Sequence, residues 1–115
     1  MITLYGIPNC DTVKKARGWL QSRGVAHQFH DFKKQGVPAD LMSQWLAELG
    51  WETLLNKKGT TWRKLPPETQ SAVVDAPTAL ALMVAEPSSI KRPVVKWANQ
   101  TTVGFDEALW SQLLP

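Results

Sequence analysis

The sequence contains a single cysteine, Cys10, a single tyrosine and two histidines. One cysteine excludes an internal disulfide. Cys10 with His27 and His30 cannot complete a four-ligand zinc site, and their spacing matches no usual zinc pattern, so no metal is expected. No apolar run approaches the ~18 residues that suggest a membrane span, and the opening MITLYG has neither the basic region nor the long apolar core of a secretory signal. A soluble, cytoplasmic chain with no membrane partner is expected. Between Pro38 and Pro87 nothing repeats, and no low-complexity tract suggests an interdomain linker. Neither sign of charge dominates: 13 Lys and Arg against 10 Asp and Glu leave +3. That excess is too mild to identify nucleic acid as the partner, and none is expected, although it leaves room for a local anion site. The 115 residues suit one domain able to bury a core without disulfides or a structural metal.

What is present is concentrated in Ile2 to Arg17, ITLYGIPNCDTVKKAR. Ile2 to Tyr5 is short, apolar and β-prone. Gly6-Ile7-Pro8-Asn9 is turn chemistry, and Val13, Ala16 and Leu20 then fall on one helix face. Cys10 sits where loop becomes helix, near unpaired backbone N–H groups and the positive end of the helix dipole, a position that favours thiolate over thiol. A lone cysteine is often only a small buried hydrophobe. Here its neighbours are Asn9 and Asp11, with Lys14, Lys15 and Arg17 in the following turns, which points instead to a nucleophile.

Gly24 suits the end of this helix, and a second strand is expected over about Ala26 to Phe32. Strand, helix and strand form a βαβ unit that puts Cys10 at the C-terminal edge of a parallel pair. His27 and His30, on the second strand, read as structural. Lys33 to Val37 reads as loop, and Pro38 as the first position of a helix whose stripe is Leu41, Met42, Trp45, Leu46 and Leu49, ended by Gly50. One more helical turn is expected over Trp51 to Asn56. Lys57 to Lys64 carries four cations and no acid. It reads as a solvated loop with Trp62 folded inward, or alternatively as the place where a small anionic ligand lies close to Cys10. Pro66-Pro67 opens a helical stretch including Ala72, Val73 and Val74. Pro77 restarts it for Ala79 to Ala85, which is apolar nearly all round and therefore expected in the core. Val94 to Ala98 and Thr101 to Phe105 form a hairpin around Asn99-Gln100, and Asp106 caps a last helix. The expected architecture is α/β: a four-stranded mixed sheet flanked by helices, with a helical insertion at about 38–87 between the second and third strands.

That order, with a cysteine after the first strand and a proline immediately before the third, resembles the thioredoxin-like fold. YGIPNCDTVKKARGWL, GWETLLNKKGTTWRKL, IKRPVV and TTVGF resemble the ArsC family, and within it the YffB group, which is related to the Spx regulators. The resemblance implies a cis peptide bond before Pro93, with Arg92-Pro93 facing Cys10. It implies Cys10 as nucleophile, Arg92 as the group that partners the thiolate or holds a substrate carboxylate, and Pro93 shaping the cleft. Asn9, Lys14, Lys57 and Arg63 are further candidates for binding the substrate anion. Arsenate reductases of the family hold the oxyanion with arginines, of which only Arg92 has a clear match; Asn56 stands where another is expected, and Gln100 to Thr102 contains none. A Cys-x-x-Cys switch of the Spx type is excluded by Val13. The activity implied is that of a glutathione-dependent, monothiol thiol-disulfide oxidoreductase, a monomer with glutathione as co-substrate and no bound cofactor, acting on a disulfide or oxyanion substrate. The alternatives are arsenate reduction with glutathione and glutaredoxin, and an Spx-like regulator that binds RNA polymerase without catalysis.

Overall fold

The computed structural model describes residues 1–115. In chain order the elements are β1 (Ile2–Gly6), α1 (Asp11–Ser22), β2 (His27–Asp31), α2 (Phe32–Gln35), α3 (Ala39–Leu49), α4 (Trp51–Leu54), α5 (Thr60–Arg63), α6 (Pro67–Ser71), α7 (Ala76–Ala85), β3 (Val94–Lys96), β4 (Thr101–Val103) and α8 (Glu107–Leu113). The chain divides into two compact units, Met1–Gln35 with Arg92–Pro115, and Gly36–Lys91. No helix is long and apolar enough to cross a membrane.

The first unit contains the four-stranded sheet, in the order β2-β1-β3-β4. β1 and β2 run parallel, with Leu4 opposite Phe29, whereas β1 and β3 run antiparallel, with Leu4 opposite Val95. β3 and β4 are the expected hairpin, closed by the Trp97 N–H donating to the Gln100 carbonyl at 2.8 Å. The sheet is therefore mixed. Alternation along β1 turns Ile2 and Leu4 to one face, where they join Ala16, Trp19 and Leu20 of α1, Val95, Trp97 and Trp110 in one core. Trp110 is the centre of an aromatic cluster, meeting Trp19, Trp97 and Phe105 edge-on at centroid distances of 5.8, 5.1 and 4.8 Å. Such pairs contribute roughly 0.5–1.5 kcal/mol each beyond the area they bury. The Trp97 indole N–H donates to Thr102 Oγ1 at 2.8 Å, while the buried Trp19 and Trp110 indole N–H groups lack an acceptor, a local cost set against the packing.

Several elements differ from the sequence expectation. β2 stops at Asp31; Phe32, expected at the strand end, and Lys33 to Gln35, expected as loop, form a helical turn, because the Asp31 carboxylate accepts from the Lys33 and Lys34 N–H groups at 2.8 and 3.3 Å. Pro38 caps α3 from outside and is not its first residue. After α4 the backbone turns extended at Leu55, which bridges to Ile90. Thr60–Arg63, expected within a loop, is a helical turn, and Trp62 within it is half-buried. α6 ends at Ser71 before reaching Val73 and Val74, and Val74 is 66 % exposed. The next helix captures this segment: Asp75 and Thr78 form a capping box, and Thr78 Oγ1 also accepts from the Val74 N–H. α7 was expected to be core throughout, yet only Ala79 and Met83 are buried and Val84 is 42 % exposed. A nearly all-apolar sequence has no polar face from which to read orientation.

Candidate active site

The site begins at the end of β1. A Cβ on Gly6 would lie 3.0 Å from Val13 Cγ2, so the absence of a side chain is what lets strand and helix approach this closely. The chain then turns through exposed Pro8 and Asn9, and the Cys10 N–H donates to the Ile7 carbonyl at 3.2 Å. Cys10 is the residue preceding α1, with extended backbone (φ −84°, ψ 125°), and its own carbonyl accepts the first helical bond from the Lys14 N–H at 3.0 Å. Its side chain is half-exposed and free.

Burial pushes the Cys10 thiol up, but the Val13 N–H, the Arg92 guanidinium through a hydrogen bond and through its charge, and the Thr12 N–H together outweigh it, leaving the thiol below its ordinary value. The sulfur does not meet the strict geometry of a capping hydrogen bond. The first-turn amides of Thr12 and Val13 nevertheless favour the ionised form of the sulfur. The Arg92-Pro93 peptide bond is cis, Arg92 is half-buried and Pro93 is buried. The Pro93 carbonyl accepts from the Gly104 N–H at 2.9 Å, which ties this loop to the end of β4.

Of the residues singled out from sequence, the structure brings together Cys10 and Arg92. Asn9 and Lys14 are exposed, and neither is among the groups that lower the thiol pKa. Lys57 and Arg63 belong to the second unit, where the Lys57 ammonium lies over the Trp51 and Trp62 rings at 5.2 and 5.3 Å and Arg63 is exposed. His27 Nδ1 contacts the Val25 carbonyl at 3.0 Å, and His30 packs against Tyr5 and Phe32. These are structural roles. The contribution of the Thr12 and Val13 amides was implicit in the helix start, but the identity of the two residues was not.

The ArsC family model matches residues 5–113. The chain belongs to the ArsC family. It is 40% identical over 107 residues to an uncharacterized protein of Haemophilus influenzae, covering 93% of each chain. The solved structure of a YffB protein matches with a TM-score of 0.94 and 45% identity over 100% of both chains. An arsenate reductase (ArsC) related protein from Brucella melitensis matches at 48% identity and a TM-score of 0.76, covering 96% of this chain and 92% of that one. The global transcriptional regulator Spx 1 of Lactococcus lactis is 27% identical over 117 aligned positions, covering 100% of this chain and 90% of the regulator. The sheet and flanking helices of this ArsC-family chain have the thioredoxin-like fold.

Proposed function

We propose that the protein is a cytoplasmic, monothiol thiol-disulfide oxidoreductase that uses glutathione as co-substrate. The observation that carries this reading is the half-exposed Cys10 sulfur at the start of α1, hydrogen-bonded to Arg92 and with its thiol held below the ordinary cysteine value. The Cys10 thiolate attacks the glutathionyl sulfur of a mixed disulfide. A Cys10–glutathione disulfide forms, and the substrate sulfur leaves as thiolate and takes a proton from solvent. A second glutathione thiolate then attacks the bound glutathionyl sulfur, releasing oxidised glutathione and restoring the Cys10 thiolate. With one cysteine in the chain, the resolving thiol must come from outside. Arg92 stabilises the thiolate in its attacking and leaving roles.

A second reading, polymerase binding without catalysis, is favoured by the full-length likeness to Spx regulators. A coupled assay with glutathione distinguishes the readings, offering a glutathionylated peptide and arsenate side by side. The proposal expects the peptide to be reduced and Cys10→Ser to be inactive. Preferential arsenate turnover would favour the oxyanion alternative. Reduction of neither, with specific binding to purified RNA polymerase, would favour the regulator.

A further inference from the structure

Within Gly36–Lys91, the segment after α4 and the segment ending at Lys91 run side by side. Leu55 bridges antiparallel to Ile90, the Asn56 N–H donates to the Ser89 carbonyl at 2.8 Å, and the Lys91 N–H donates to the Leu54 carbonyl at 2.8 Å. This short ladder holds Lys57, Lys58 and Lys91 around one concavity of about 280 Å³, completed by Glu52 and Leu55. The turn bearing two of the lysines is itself constrained. Asn56 Oδ1 accepts from the Lys58 N–H at 3.1 Å, and a Cβ on Gly59 would come 2.7 Å from Asn56 Nδ2. The Lys57 ammonium is further restrained over the Trp51 and Trp62 rings. Restraint in the free protein reduces the ordering cost of holding a ligand.

The lining residues Lys57, Lys58 and Lys91 against Glu52 give this concavity a formal charge of +2. Its volume falls below the roughly 300–1,000 Å³ typical of sites for drug-sized ligands, so the fitting occupant is compact. Lysines act as point charges and lack the planar fork that arginine offers a carboxylate, so they select for charge density more than shape. A phosphoryl group concentrates charge and several acceptor oxygens in one small volume. We infer that this pocket is a binding site for a compact, phosphate-bearing small ligand.

The test is calorimetric titration of the full chain with inorganic pyrophosphate in low-salt, phosphate-free buffer, together with amide chemical shifts. The expected result is saturable one-site binding that weakens with salt and shifts centred on the amides of Asn56, Lys58 and Lys91. Lys58→Gln and Lys91→Gln each weaken binding about fivefold, the scale of one exposed charge contact, whereas Glu52→Gln tightens it. All three side chains are exposed, and circular dichroism checks that the variants fold. Absence of saturation in the millimolar range would overturn the proposal. So would unchanged affinity in the lysine variants, weaker binding in Glu52→Gln, or shifts centred on Cys10 to Val13, which would place the anion at the thiol.

Discussion

At the scale of single residues, Cys10 is set by three neighbours acting against its burial: the Val13 and Thr12 amides and the Arg92 guanidinium. Because its folded pKa lies below the unfolded value, ionisation favours the folded state. That stabilisation is fully present above the unfolded pKa and is lost as pH falls through the folded pKa. The stability of the wild type relative to Cys10→Ser should therefore rise with pH up to about 8.5, the unperturbed value, and then level off. Urea unfolding across this range checks it; a difference that is flat or falls with pH would contradict the lowered pKa. Position at the helix start was legible from sequence, because Gly6 to Asn9 is turn chemistry and the apolar spacing begins at Val13. Arg92 was legible only through family resemblance, since nothing local in Ile90 to Pro93 says which distant loop it meets. Lys14, a candidate for binding the substrate anion, is exposed and is not among the groups that lower the thiol pKa.

At the scale of elements, α1 depends on its close approach to β1. Gly6→Ala should destabilise the protein by about 1–3 kcal/mol, the usual cost of overpacking, because the new methyl group must displace Val13. If the strain passes from the Val13 side chain to its backbone amide, Cys10 alkylation near neutral pH should also slow. Thermal unfolding and alkylation rates test both effects. α8 is short, and Asp106 accepts from the Leu109 N–H at 3.1 Å at its start. Asp106→Ala should cost about 0.5–2 kcal/mol, measured by chemical denaturation, because this helix carries Trp110 into the core. Strands, α1, α3 and this cap followed from hydrophobic period and capping residues. The short turns Phe32–Gln35 and Thr60–Arg63 did not: each is too brief to show a period, and the first depends on a side-chain cap from a residue that reads as strand.

At the scale of the whole molecule, one cysteine means that any thiol exchange under the proposed function needs an external thiol. Oxidised glutathione should therefore add one glutathionyl group per chain, at Cys10, seen by intact-mass and peptide spectrometry and absent from Cys10→Ser. Failure to form this adduct under conditions that modify ordinary free cysteine would contradict the oxidoreductase reading. The most direct measurement is the rate of iodoacetamide alkylation of Cys10 against pH, for the wild type and Arg92→Ala. The wild-type midpoint should lie below about 8.5, the value of an unperturbed cysteine, and Arg92→Ala should raise it. A wild-type midpoint at or above that value, or one that Arg92→Ala leaves unchanged, would contradict an activated Cys10.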